Sequence, residues 1–259
     1  MILTVDIGNT AMVFGFYEQN RLVESFRLSS VPEKTADEYE LVLDSLCRRK
    51  KIVPLAVEGC VISCVVPALK HPVERAVKAV FGCRPLIVGH GIRTGLNIRV
   101  DIQTEVGSDI VANMVAATAT GKRPVAVVDF GTAITLSGVN DVGELVGVAI
   151  MPGIRVGLAA LTKSAAALYD VSLGKPGRVL GKNTEESMVS GCVYGTASMV
   201  DGMVERLREE MGVRDLDVIA CGELAECIVP YCKTKIEIRS QLTLEGLTRI
   251  YHLNVGKRK

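Results

Sequence analysis

Twice in this chain an apolar run ends in Asp, passes through a glycine turn and resumes as a second apolar run. The copies are Val5-Asp6-Ile7-Gly8-Asn9-Thr10 and Val128-Asp129-Phe130-Gly131-Thr132-Ala133-Ile134-Thr135. Their aspartates lie 123 residues apart, about half of the 259-residue chain, so an internal duplication with one copy per half is the economical reading. In each copy a buried strand delivers an acid to a tight turn. Such a turn suits phosphate. Glycine lets backbone N–H groups approach an anion closely, neighbouring hydroxyls and amides donate to it, and the strand-end Asp can hold a neutralising cation. Asp at a strand end can also serve only its own turn, but repetition in matched contexts weakens that explanation.

The surroundings of the two turns are alike. Ile2 to Ile7, Ala11 to Tyr17 and Arg21 to Leu28 read as an antiparallel meander, and Val125 to Phe130, Ala133 to Val139 and Glu144 to Ile150 read as another. Helical spacing is predicted over Ala36 to Arg49, Pro72 to Phe81, Asp109 to Thr118 behind an N-cap at Ser108, Val156 to Leu168, Thr184 to Met211 and Leu242 to His252. Further strands are predicted at Val57 to Val66, ended by Pro67, at Pro85 to Val88, at Val218 to Cys221 running into Gly222, and at Lys235 to Arg239. Gly89 to Gly107 reads as a long loop-rich connection whose length invites a functional explanation. The fold class is therefore α/β, divided into residues 1–118 with the first phosphate turn and 119–259 with the second.

Composition narrows the partners. Thirty basic and 29 acidic side chains give a formal charge of +1, too little excess field to steer the chain toward nucleic acid or an anionic membrane. The basic tail Lys257-Arg258-Lys259 reads as solvated C-terminus. Eight cysteines in apolar contexts, without a signal peptide, read as reduced core thiols. Cys221, Cys227 and Cys232 lack the paired spacing of a zinc knuckle. The apolar stretch Leu145 to Leu168 is interrupted by Pro152, Arg155 and Lys163, so no membrane span is predicted and a soluble, cytoplasmic chain is expected.

With both acidic turns, the Gly107-Ser108-Asp109 helix start and the strand into Gly222 in view, the chain resembles the type III pantothenate kinases. That family belongs to the actin-like, sugar-kinase and heat-shock-ATPase superfamily. Gly147 to Gly153 with its Pro-Gly ending and Gly181-Lys182-Asn183-Thr184-Glu185-Glu186-Ser187 add to the likeness, which covers nearly the full length. The resemblance implies two similar actin-like (ribonuclease H-like) domains with mixed sheets flanked by helices. It implies transfer of the γ-phosphoryl group of ATP to the primary hydroxyl of pantothenate, with Mg²⁺ and K⁺ or NH₄⁺ as cofactors. It also implies a homodimer with its substrate pocket at the subunit interface.

Carried over position by position, Asp109 matches the family's proton acceptor. Asp6, Gly8, Asn9 and Thr10, with Thr132 and Gly222, match nucleotide contacts, and Asp6 would act on Mg²⁺ through the phosphates. Asp129 matches a monovalent-cation ligand, while Gly107, Ser108, Asp109, Ile110 and Thr184 match the substrate site. Asp109 has a plainer explanation as well, since an acid in a helix's first turn gains about 0.3–1 kcal/mol from the macrodipole, which would keep it ionised. Thr184, ahead of a long helix, has one as a cap.

Ile110 departs from the family, which carries Arg after the catalytic Asp to pair with the substrate carboxylate. A charge-assisted contact of that kind is worth about 1.5–3 kcal/mol. Its loss leaves three readings: another cation such as Arg99, Arg155 or Lys163 takes over, the acceptor is a different hydroxyl compound, or the chain is a nucleotide-binding regulatory protein. Cys221 stands where the family has a glycine, and Ile134 where it has a Thr donor.

Overall fold

The computed structural model describes residues 1–255, so the basic tail lies outside the described residues. Two compact units emerge. The first comprises Met1–Leu96, Asp101–Ala116 and the chain from Leu242 onward; the second comprises Asn97–Val100 and Ala117–Gln241.

The first unit is built on a five-stranded sheet in the order β3-β2-β1-β4-β5. Its strands are β1 (Ile2–Ile7), β2 (Ala11–Glu18), β3 (Arg21–Ser29), β4 (Gly59–Cys64) and β5 (Leu86–Ile87). The first three form the predicted meander, and β4 runs parallel to β1. Strand alternation sorts the faces. Leu3, Val5 and Ile7 join the core made with α1 (Ala36–Lys50) and α2 (Pro67–Phe81), through Tyr39, Leu43, Val73 and Phe81. Thr4 and Asp6 point to the opposite face, which α7 (Leu242–Asn254) covers by packing on β1 and β4.

One of these helices starts where expected and the other does not, each for a local reason. A reciprocal capping box between Thr35 and Glu38 opens α1 where it was predicted. In α2, Pro67 does not merely end the preceding strand; it occupies the first helical turn, where a missing N–H costs nothing, and Pro72 lies inside the helix.

The second unit repeats this wiring. Its sheet runs β11-β10-β7-β8-β9-β6, from β6 (Asn97–Ile98), β7 (Val125–Phe130), β8 (Ala133–Val139), β9 (Glu144–Pro152), β10 (Asp217–Cys221) and β11 (Glu237–Ile238). An antiparallel meander on one side of β7 and a parallel strand, β10, on the other match the arrangement around β1. Ala126, Val128 and Phe130 face a core shared with α4 (Ile154–Ser164), α5 (Thr184–Met211) and α6 (Ala225–Ile228). Asp129, like Asp6, points to the other face of its sheet.

Two placements were not read from the sequence. The C-terminal helix, allotted there to residues 119–259, packs on the first sheet: Gly246 lies so close to Ala112 of α3 (Ser108–Thr118) that a β-carbon would overlap the Ala112 backbone, and Thr243 donates to Asn113 at 2.7 Å. Within Gly89–Gly107, β6 adds to β9, Arg99 donates to Glu144 at 2.9 Å, and Asn254 brackets Arg93 through both its N–H and carbonyl. Much of that connection is therefore anchored.

Candidate active site

In the second unit the glycine turn after β7 is pressed between two other glycines. A β-carbon on Gly153, the N-cap of α4, would overlap the Thr132 carbonyl. Gly222 follows β10 with φ +89°, and a β-carbon there would sit 2.5 Å from Asp129 Oδ1 and 2.6 Å from Phe130 N. Asp129 is the cross-strand partner of Cys221, which brings Gly222 to the end of β7. Asp129, Thr132 and Gly222, three predicted site residues, thus meet at one bare-backbone corner. Arg155 and Glu223 flank it and pair through 2.6 and 3.4 Å contacts.

The oxygen donors of that corner suit a hard cation better than a soft transition metal. The corner offers a carboxylate with a backbone cradle that any side chain would fill, and among the described residues no cluster of three His, Cys, Asp or Glu side chains is placed to bind a metal. Cys221, the departure beside it, is buried at the end of β10.

In the first unit the corresponding turn is braced by its own strands. Gly8 N–H donates to Ala11 O at 3.0 Å, Ser30 N–H donates to Thr10 O at 3.1 Å, and the Ser30 hydroxyl donates to Gly8 O. Asn9 and Thr10 are left exposed at the tip. Asp6 is the cross-strand partner of Ser63, which is completely buried. The Ser63 hydroxyl lies 2.9 Å from that of Ser108, and Cys64 N–H donates to Ser108 Oγ at 3.0 Å. The start of α3 is therefore pinned to the end of β4, which brings Asp109 to the end of the sheet that carries Asp6.

Ser108 is not the expected N-cap. It is the first helical residue, Gly107 O accepts from Val111 N–H, and the hydroxyl is committed to β4. Gly107 leaves room for the acid two residues on, since a β-carbon there would strike the Asp109 carboxylate. Asp109 accepts from Ile110 N–H at 2.8 Å, yet burial outweighs its two backbone bonds and pushes its pKa above the ordinary aspartate range. Burial thus works against the ionised form, and a carboxyl whose pKa is raised is a stronger base once ionised. Ile110 is buried in the first unit.

Thr184 does not cap α5. Asn183 does so, accepting from Glu186 N–H at 2.8 Å, while Glu186 reaches back to Lys182 N–H at 3.0 Å. Thr184 instead lines a cleft of about 950 Å³ within the second unit, between α4 and the first half of α5. Gly153 lines it too, so the cleft begins beside the turn that carries Thr132.

The model of the family described as type III pantothenate kinase matches residues 2–206. The chain belongs to the type III pantothenate kinase family. Relatives under that name include one from Exiguobacterium sp. (strain ATCC BAA-1283 / AT1b), 41% identical over 98% of this chain and 99% of its own length. Another, from Syntrophus aciditrophicus (strain SB), is 41% identical over 98% and 100%. The fold is shared with more distant kinases. A crystal structure assigned to a 2-dehydro-3-deoxygalactonokinase from Sinorhizobium meliloti aligns with TM-score 0.63 at 11% identity, covering 100% of this chain and 98% of that one. An inorganic polyphosphate/ATP-glucomannokinase from Arthrobacter sp. strain KM gives 0.50 at 16%, covering 97% and 98%.

The cations expected to stand in for an arginine at Ile110 are Arg99, Arg155 and Lys163. Arg99 is held by Glu144 and Arg155 by Glu223. Lys163 lies in the last turn of α4 outside the walls of the cleft. Sequence reasoning passed over Ser63, whose role depends on a partner 45 residues away, and Lys182, which lines the cleft. The position of Lys182 two residues before Thr184 was the available signal.

Proposed function

We propose that this chain transfers the γ-phosphoryl group of ATP to the primary hydroxyl of pantothenate, the opening step of coenzyme A synthesis. Family membership at 41% identity across 98% of the chain carries the reading. In the reaction the acceptor oxygen forms a P–O bond to the γ-phosphorus, the bond to the β–γ bridging oxygen breaks, and ADP departs. The hydroxyl proton goes to the Asp109 carboxylate, whose burial favours taking it.

Asp6, Gly8, Asn9 and Thr10 in one turn, and Thr132 and Gly222 in the other, bind the nucleotide. Their catalytic contribution is positioning and charge stabilisation rather than covalent chemistry. Asp129 would hold a monovalent cation, K⁺ or NH₄⁺, and Asp6 would act on Mg²⁺ through the phosphates; bound there, such ions would supply charge neutralisation at the polyphosphate. Gly107, Ser108 and Thr184 belong to the acceptor site. The enzyme works as a cytoplasmic homodimer.

The test is ATP-dependent formation of phosphopantothenate by the purified dimer with Mg²⁺ and K⁺ or NH₄⁺. No product at millimolar pantothenate from folded protein would reject the reading. Ile110 motivates a second one, a nucleotide-binding regulatory protein or a kinase for another hydroxyl compound. Ile110→Arg separates them: activity that appears only in the variant supports the second reading, whereas an active wild type removes it.

A further inference from the structure

Pantothenate is an anion at neutral pH, and a cation placed at its carboxylate favours it over neutral alcohols. Ile110 cannot provide that charge. The cleft in the second unit supplies the chemistry. Its walls are apolar or small along most of their length, with Leu161, Leu168 and Met188 among them, and Thr184 and Asn183 add polar groups at one end. A branched apolar body with hydroxyl and amide groups is complementary to that lining.

Lys182 is the one charged residue that lines this cleft among the described residues. Its backbone is fixed, because Glu186 Oε2 accepts from Lys182 N–H at 3.0 Å while Asn183 caps the helix. Glu186 is committed elsewhere, to this N–H, to the Asn183 amide at 3.0 Å and to Arg178 at 3.9 Å. No carboxylate among the described residues forms an ion pair with the Lys182 ammonium, in contrast to Arg99 and Arg155.

We infer that Lys182 is the specificity-determining cation of the acceptor site: its ammonium pairs with the carboxylate of a small branched hydroxy acid lodged in the cleft lined by Thr184. The inference rests on the proposed kinase reading and goes beyond it by assigning the carboxylate end. Because Lys182 is exposed, the contribution sits at the lower end for a charge-assisted contact, about tenfold in substrate preference.

The experiment compares kcat/KM for pantothenate with kcat/KM for pantothenol, which keeps the primary hydroxyl but replaces the carboxylate by an alcohol. Wild type, Lys182→Ala and Lys182→Arg are assayed at low and high salt. Wild type is expected to favour the acid about tenfold, less so at high salt. Lys182→Ala should approach parity through a higher KM for the acid, and Lys182→Arg should restore the preference. A Lys182→Ala enzyme that keeps the wild-type ratio, or that loses both substrates equally, overturns the inference and leaves the kinase reading standing. A folded, ATP-binding wild type that phosphorylates neither compound overturns the kinase reading itself.

Discussion

Asp109→Asn is expected to abolish phosphoryl transfer, by at least about a hundredfold in kcat, while ATP binding stays near wild type. Asn keeps the shape and an oxygen that can accept from Ile110 N–H, the 2.8 Å bond that orients this side chain, and it removes only the ability to take a proton. The wild-type pH profile should carry the same signature. Activity requires the ionised carboxylate, so kcat/KM falls as pH drops through the Asp109 pKa, and burial places that fall above the range of an ordinary aspartate. The stability consequence has the opposite sense to that of a structural acid. With its folded pKa raised, the acid favours the folded state below its unfolded pKa, and that benefit is lost as pH rises through the folded value. At neutral pH the buried charge is a burden, so the Asn variant should melt no lower than wild type. Calorimetry and ATP titration of the pair check this; a variant that keeps turnover removes Asp109 from the chemistry.

Why the fold was so readable follows from the sheet geometry. Buried central strands leave period-two and continuous apolar runs, and both meanders were placed to within a residue or two, because β1 and β7 begin and end on residues whose burial and turn chemistry are local properties. Long helices with strong caps, such as α5 behind Asn183, were equally plain. What was not legible depends on distant partners. The two-residue strand β6 has too little pattern to register and exists because β9 offers an edge. The C-terminal helix reads as amphipathic, but nothing in its own residues says which sheet it covers; that is decided by the close approach of Gly246 to Ala112.

The site divides the same way. Asp6, Asp109 and Asp129 stood out because each is an acid at an abrupt change of local pattern. Ser63 did not, because a buried serine in a strand acquires meaning only through the Ser108 hydroxyl. Ser108 itself was read as a cap because Ser before a helical run usually is one. Here the backbone of Gly107 serves the helix end, freeing the hydroxyl to tie α3 to β4. Ser108→Ala should therefore lower kcat by roughly tenfold or less with little change in KM for ATP, as the Asp109 helix loses its tether. Unaltered kcat would show that the tether is unnecessary.

Gly153→Ala and Gly222→Ala are expected to damage nucleotide binding more than any other substitution of comparable size. At Gly153 the obstruction is the Thr132 carbonyl, and backbone cannot step aside by changing rotamer, so the second phosphate turn itself must move. Overpacking of this kind costs about 1–3 kcal/mol. At Gly222 two penalties act together: φ +89° costs an L-residue about 1–2 kcal/mol, and the new methyl meets the Asp129 carboxylate and Phe130 N. Both variants should raise KM for ATP about tenfold or more, and Gly222→Ala should also weaken activation by K⁺, since its methyl displaces the carboxylate. Gly202→Ala is the control. It lies inside α5, where only Arg206 Nη1 comes near the added methyl. That long side chain donates to the Gly202 carbonyl at 2.9 Å and can swing aside at the loss of that one exposed bond, and the better helix propensity of Ala favours the fold by about 1 kcal/mol. Thermal midpoints and ATP saturation curves on the three variants separate the cases. Wild-type KM for ATP in Gly153→Ala would mean that the turn carrying Thr132 does not hold nucleotide, and the role assigned to the second copy of the repeat would have to be given up.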